Sequence, residues 1–406
     1  MLRVATNTLF RTGESNILDR QRELLTAQTQ LSSGKRINSP SDDPLGAADA
    51  TGIRASLSQF DQFKDNQGHA RYLLNLGESA LAGFVDAVQE VQEKLITAGN
   101  GAYGDAERRM LAADLEGILG RMVGLANSGD GANGYLFAGA KENVVPFVQN
   151  GNLVGFRGDE ILQKLEVSKD RFQQVKYSGD ALFNKMRPGN GSFTSVAAGS
   201  NTGTAVIDAG SVTNPALLTG RPYDITFAVA AGVTTYTVVR NEAGGGSTPV
   251  ASGTYSAPQE LSFDGIRVTL TGAPADGDRF DVDPSGFRSV FDTVAQAIAD
   301  LRTPVQGNAA GAARQQTALG GALASMSQAL DHLLLKRADI GTALQELDAY
   351  ERLNDDRQLE YQSRLSTIED LDFAKGAADL ARRQQTFEAA LKSYSSVSRL
   401  SLFDYL

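Results

Sequence analysis

Apolar side chains recur at intervals of seven along both outer parts of this chain and at intervals of two along its middle. Near the amino end, Phe10, Ile17, Leu24 and Leu31 form one row, which predicts a helix carrying a single apolar stripe. The row stops at Gly34, a residue suited to the left-handed position just past a helix, and Asn38-Ser39-Pro40 bars continuation. Asp43-Pro44 is a restart: the carboxylate can cap free N–H groups, and proline is tolerated at the first helical position. A longer helix follows, with Leu74, Leu81, Val88 and Leu95 in one row and Phe84 and Val91 completing the seam. Gly99-Asn100-Gly101 ends it, and a third helix carries Leu111, Leu115, Ile118, Met122 and Leu125.

Residues 135–186 change period, and the runs YLFAG, LVGF and KLEV predict a small strand-rich insertion. From Pro188 to about Pro284 the chain is rich in Gly, Ser, Thr and Val. Tyr223–Phe227, Thr235–Val239 and Gly265–Leu270 alternate apolar with polar residues, as strands of a compact β domain do. Helix returns at about Ser289. Leu319, Met326, Leu333, Ile340 and Leu347 then form the longest row, flanked by Leu323, Leu330 and Leu344. Phe373, Leu380, Phe387 and Tyr394 begin a new row in a different phase, which places a boundary between about Asn354 and Phe373.

The predicted fold is mainly α with inserted β. Because one helix cannot bury such seams alone, the N-terminal helices are expected to pair with the C-terminal ones in an elongated rod. The terminal coiled-coil domain is drawn from 1–44 and 365–406, a helical bundle with a small β insertion from 45–187 and 286–364, and a β-rich outer domain from 188–285. A self-contained bundle and a polymer subunit would share this periodicity.

Composition narrows the function. Acidic residues outnumber basic ones 48 to 38 over 406 residues, for a formal charge of -10. Phosphate recognition needs clustered cations, so nucleic acid is not an expected partner, and anionic lipid gains little attraction. With no Cys, disulfides, thiolate nucleophiles and Cys-based metal sites are excluded. The two histidines, His69 and His332, lie in helix-like patterns among charged neighbours and are expected to be solvated. MLRVATNTLFRTGESN lacks the apolar run of a cleavable signal peptide. Nothing later reaches the ~18 consecutive apolar residues of a membrane span.

Other candidate chemistry reduces to structure. Asp276, Asp278, Asp281 and Asp283 do not follow a calcium-loop spacing and read as a turn entering a strand. Asp42 and Asp43 need no acid–base role when one of them caps the helix that begins at Pro44. Gly244-Gly245-Gly246 is a loop tip, since no strand–loop–helix with a following Lys surrounds it. No catalytic residue, cofactor or metal is expected.

LSSGKRINSPSDDPLGAADA, Leu31 to Ala50, closely resembles the N-terminal signature of flagellins and hook-associated proteins, carried by Gly34, Arg36, Asn38, Asp42, Asp43 and Pro44. The prolines around Asp42-Asp43 resemble the hook-associated proteins more than the filament flagellins. GYLFAGAKENVVPF, from Gly134, and the terminal RLSLFDYL are similar to motifs of the hook-associated protein 3 family, and DGIRVTLTGAPADGDRFDV looks like a module shared among hook-associated proteins. The resemblance covers about residues 1–175 and 286–406. It implies a bacterial flagellar structural subunit, exported without a cleaved leader, forming a ring of several copies at the hook–filament junction. Implied partners are hook-associated protein 1, flagellin and an export chaperone on the C-terminal helix. It also implies that the rows Phe10, Ile17, Leu24, Leu31 and Phe373, Leu380, Phe387, Tyr394 join coiled coils between subunits. The alternatives are the flagellin filament subunit itself and, in another class, a secreted module binding carbohydrate or protein. The latter would want exposed aromatics, and the β domain has no Trp.

Overall fold

The computed structural model describes residues 6–403. Three helices open the chain: α1 (Thr6–Ser33), α2 (Pro44–Ala98) and α3 (Asp105–Ala126). Two short hairpins follow, β1 (Phe147–Asn150) with β2 (Leu153–Phe156) and β3 (Lys164–Ser168) with β4 (Arg171–Gln174). Strands β5 (Phe193–Ala197) through β13 (Arg279–Pro284) make the β domain. Three helices close the chain: α4 (Val290–Arg302), α5 (Ala309–Glu369) and α6 (Phe373–Phe403). By packing, the chain divides into two compact units, Met1–Asn66 with Ala349–Leu406, and Gln67–Asp348.

In the larger unit the seven-spaced rows form the core. Leu74, Leu81, Val88 and Leu95 are buried, as are Leu319, Met326, Leu333, Ile340 and Leu347. Phe84 of α2 meets Phe183 at 4.4 Å between ring centroids, and Phe147 meets Phe291 of α4 at 5.2 Å. Phe137 joins the cluster edge-on at 5.5 Å from Phe183. That contact explains why YLFAG is not a strand. Leu136, Phe137 and Ala138 are buried as a plug, and only Tyr135 makes a single bridge, to Gly129. Such a buried turn leaves no room for side chains at its bends: a Cβ on Gly139, at φ +72°, would lie 2.5 Å from the Asp159 carbonyl.

Under this plug lies an ion cluster. The Lys176 ammonium, 4% exposed, donates at 2.8 Å to both Asp130 and Glu142. Burial pushes the Asp130 carboxyl up, but hydrogen bonds from Lys176 and from the Ala132 and Gly134 amides outweigh it and hold it at about 2. His332 departs from the expectation of a solvated side chain. Its Nε2 lies 3.0 Å from the Ala181 carbonyl, and burial pushes its pKa down. Helical periodicity cannot reveal that the π-helical turn Asp180–Asn184 packs against this face of α5.

The β domain is two sheets sharing one core. One has order β10 (Ser247–Thr254), β9 (Val233–Asn241), β8 (Tyr223–Ala230), β13, β5. The other runs β11 (Gln259–Phe263), β12 (Ile266–Thr271), β6 (Val206–Ile207), with β7 (Ser211–Val212) also on β12. The alternating residues of the sequence face inward: Tyr223, Ile225, Phe227, Val268, Leu270, Phe280 and Val282 are buried together. Asp278 is a turn anchor, accepting from the amides of Thr202 at 2.8 Å and Ala275 at 2.9 Å. The two connections to the helices are tied side by side: the Arg288 amide donates to the Met186 carbonyl at 2.9 Å, and the Met186 amide returns the bond at 3.3 Å. Ser285 Oγ donates to the Pro188 carbonyl at 2.6 Å.

Lys176→Met strands two carboxylates beneath the plug and should cost about 3–5 kcal/mol in chemical denaturation. The pH dependence follows from Asp130. Its folded pKa lies below the ordinary carboxylate value, so its contribution is present above about pH 4 and is lost as pH falls toward 2. A loss of about 2 kcal/mol over that window, absent in Asp130→Asn, is expected from denaturation at stepped pH.

Candidate assembly interface

The smaller unit holds the residues that the sequence singles out. α1 and α6 run antiparallel. Phe10 meets Tyr394 edge-on, with ring centroids 6.2 Å apart. Further along, an Arg383 guanidinium N–H donates to the Glu23 carbonyl at 3.2 Å. At the other end, Phe373 lies 3.4 Å from where a Cβ on Gly34 would begin. Phe10, Phe373 and Tyr394 therefore line the seam between the two helices. Gly13 is the position sequence reasoning missed: a Cβ there would lie 2.6 Å from the Tyr394 ring, so glycine lets the helices close over it.

The seam is shallow. Phe10, Ile17, Leu24, Leu31, Leu380, Phe387 and Tyr394 are each only half-buried, and Phe373 is 60% exposed. Ala27 is the one fully buried side chain described on α1, and no described side chain of α6 reaches that state. Leu18, Leu25 and Leu391 point outward and are exposed. A helix pair of this kind has an unpartnered apolar surface on its far sides.

The KRINSPSDDP stretch is a lock on the end of α5. Gly34, at φ +71°, ends α1 in the left-handed conformation expected of it. The next residues run antiparallel to the end of α5: the Arg36 amide donates to the Glu369 carbonyl at 2.6 Å, and the Leu371 amide to the Gly34 carbonyl at 2.9 Å. The Arg36 side chain reaches the Ile368 carbonyl at 2.8 Å, satisfying an end group of α5 where the helix dipole favours a cation. Asp42 Oδ2 accepts from the Asn38 and Ser39 amides at 3.0 and 2.9 Å, closing the turn. Asp43 Oδ1 accepts from the Gly46 amide at 2.9 Å and so caps α2 above Pro44. That amide bond, aided by Arg36 nearby, holds the Asp43 carboxyl below its usual range.

Glu369 is the centre of the lock. Its carboxylate is 5% exposed and lies between Lys35, at 3.1 Å, and Arg54 of α2. One acidic side chain thus ties the α1–α2 link, the body of α2 and the end of α5. Asp372 then caps α6, accepting from the Ala374 and Lys375 amides at 3.0 and 3.1 Å. Neither acid was singled out from the sequence. Asp372 carried a signal, an Asp immediately before a new apolar row. Glu369 carried none, because its partners are more than three hundred residues away. These carboxylates, cations and amides are paired with one another, which fixes backbone and presents no reactive atom. Among the described residues no group of His, Asp and Glu is placed to hold a metal, and no helix is long and apolar enough to cross a membrane. The terminal RLSLFDYL falls on residues whose side chains lie outside the described ones.

Glu369→Gln should loosen this lock by about 1–3 kcal/mol, since one partner charge is lost from a buried carboxylate whose cations are half-exposed. Hydrogen exchange of the Lys35–Leu45 amides is expected to accelerate by about tenfold or more, with the β domain unchanged.

Comparison with known proteins gives the arrangement its context. Residues 4–142 match the family model of the bacterial flagellin N-terminal helical region. Over 402 residues, 99% of each chain, the protein is 26% identical to the flagellar hook-associated protein 3 of Salmonella typhimurium. The crystal structure of hook-associated protein 3 from Legionella pneumophila superposes with a TM-score of 0.73 at 28% identity, covering 78% of this chain and 98% of that one. Likeness to a flagellin, that of Listeria monocytogenes, extends over 127 residues at 25% identity, 31% of this chain. The likeness to hook-associated protein 3 thus runs the whole length of the chain, and the fold is shared with its solved structure, whereas the likeness to this flagellin is confined to about a third of the chain.

Proposed function

We propose that this chain is the structural adaptor between the hook and the filament of a bacterial flagellum. It is a flagellar component outside the cell and assembles with hook and filament parts. It is a structural subunit and not an enzyme. Several copies form a ring that stands on hook-associated protein 1 and offers flagellin a surface on which to polymerise. Residues 1–44 and 365–406 make the layer between subunits, and the β domain of 188–285 faces solvent. The chain leaves the cell through the flagellar export apparatus without a cleaved leader, and a chaperone covers the C-terminal helix beforehand.

One observation carries the reading. The α1–α6 pair exposes Leu18, Leu25 and Leu391 and encloses almost nothing, so its apolar surface is completed only by neighbouring copies. Polymerisation of subunits with this seam buries both rows at once. The flagellin alternative is disfavoured because that likeness stops after about a third of the chain.

Electron microscopy of a deletion strain, with an assay for flagellin in the medium, tests the proposal. Bare hooks with abundant shed flagellin are expected, whereas bare hooks without any flagellin would identify the filament subunit instead. Complementation with Leu380→Asp should fail to restore filaments, because a charge at the seam costs about 2–4 kcal/mol at every contact it enters. Thermal unfolding of the β domain should be unchanged in the same variant. Normal filaments from Leu380→Asp would refute the terminal seam as the assembly surface.

A further inference from the structure

Asparagine followed by glycine occurs four times in the chain, at Asn100-Gly101, Asn133-Gly134, Asn150-Gly151 and Asn190-Gly191. This pair is chemically reactive because glycine, having no Cβ, lets its backbone nitrogen approach the side-chain amide carbon of the asparagine before it. Ring closure between them needs a glycine N–H that no acceptor holds and an asparagine whose backbone can rotate. The fold meets these requirements very unequally at the four places.

Gly134 is buried, and its amide donates at 2.9 Å to Asp130 Oδ1, within the ion cluster of Lys176. The Gly191 amide donates to the Pro188 carbonyl at 3.3 Å. The Asn190 side chain is itself held: Oδ1 accepts from the Ser192 and Phe193 amides, both at 3.0 Å, and Nδ2 donates to the Ala209 carbonyl at 3.1 Å. Asn150 is exposed at the tip of the β1–β2 hairpin, but it pairs with Leu153 in the ladder, so its backbone rotates only when the hairpin opens. Asn100 and Gly101 lie in the link between α2 and α3, and both are exposed. Turn bonds to Thr97 and Tyr103, at 3.2 and 3.1 Å, hold the Asn100 backbone in place of a ladder. Among the described residues nothing accepts from the Gly101 amide. The Ala102 amide donates to Asn100 Oδ1 at 3.1 Å, an Asx turn. That donor polarises the side-chain carbonyl and stands where negative charge develops on Oδ1 when Cγ is attacked.

We propose that Asn100 is a site of spontaneous deamidation, converting to isoaspartate and aspartate in the folded chain well ahead of the other three asparagines. The Gly101 nitrogen attacks Cγ of Asn100, the Cγ–Nδ2 bond breaks, and ammonia leaves with the proton that the nitrogen gave up, closing a cyclic imide. Water then opens the imide at either carbonyl. Opening at Cγ gives aspartate, and opening at the main-chain carbonyl gives isoaspartate, with the chain continuing through the former side chain. Nothing is oxidised or reduced, and water is the co-reactant. The product puts a negative charge just past the C-terminal end of α2, the end where the helix dipole favours a cation. Isoaspartate also lengthens the link before α3 by a backbone carbon. The α2–α3 link thus carries a slow, irreversible mark of the time the chain has spent in water.

The test incubates the full chain in mildly alkaline buffer, where more of the Gly101 amide is deprotonated, and follows each asparagine by peptide mass spectrometry. Isoaspartyl methyltransferase with a labelled methyl donor is the probe for isoaspartate. In the folded chain Asn100 should convert about tenfold or more faster than Asn133, Asn150 or Asn190. In urea the four rates should converge, since the same pair reacts at each place once the hydrogen bonds are gone. A Cβ on Gly101 would meet nothing within 4 Å, and its φ lies outside the left-handed region. Gly101→Ala should therefore slow conversion at Asn100 by about tenfold or more without lowering the unfolding temperature. Conversion of any of the other three as fast as Asn100 in the folded chain overturns the proposal. Retention of the amide at Asn100 in the folded chain while the urea-treated chain loses it overturns it as well. An Asn100 rate unchanged by Gly101→Ala would rule out the route through the Gly101 nitrogen and overturn the proposal with it.

Discussion

Two helices in contact shield one stripe on each and leave the remaining surface in water. α1 and α6 meet that limit directly, since their rows are half-buried even where Phe10 and Tyr394 interlock and Gly13 brings the backbones together. A pair with so little enclosed surface offsets only part of the entropy of ordering some sixty residues. Its far sides carry leucines that water does not favour. The terminal unit therefore has a reason to associate that the β domain, with its closed core between two sheets, does not.

The lock at Glu369 gives the terminal unit itself a defined geometry. The motif from Lys35 to Pro44 is spent almost entirely on backbone: Gly34 turns the chain, Asp42 and Asp43 collect amides, and Arg36 covers carbonyls at the end of α5. A helix end otherwise leaves its last carbonyls unsatisfied, and a link between helices otherwise moves freely. Here the two breaks, one between α1 and α2 and one between α5 and α6, brace each other through a short antiparallel bridge between Lys35 and Asp370. The paired acids that resemble a catalytic dyad on paper are helix and turn fastenings in space.

What the sequence made legible was whatever depends on near neighbours. Every member of the Leu74 and Leu319 rows lies in the core, the strand alternation of Tyr223–Phe227 and Gly265–Leu270 faces inward, and Gly34 and Asp43 do what their local chemistry prescribes. What stayed hidden depends on distant partners. Lys176 reads as one surface cation among many, yet it neutralises two acids under the YLFAG plug. YLFAG itself has the composition of a strand, and burial of Phe137 among four other phenylalanines overrides that propensity. Of the terminal seam, both rows were readable, whereas Glu369 was not, because nothing within a helix turn of it shows that Lys35 and Arg54 arrive there.

The paired connections at Met186 and Arg288 have a consequence for how such a chain can change over generations. The polypeptide enters and leaves the β domain at one doorway, with the two crossing strands bonded to each other. Whatever lies beyond that doorway can grow, shrink or be exchanged for an unrelated module without altering the path of a single helix. A lineage can thus rewrite the β domain while the helices keep their course. For an engineer the same doorway is a grafting point at which a foreign domain could replace the native one with both of its ends joined side by side.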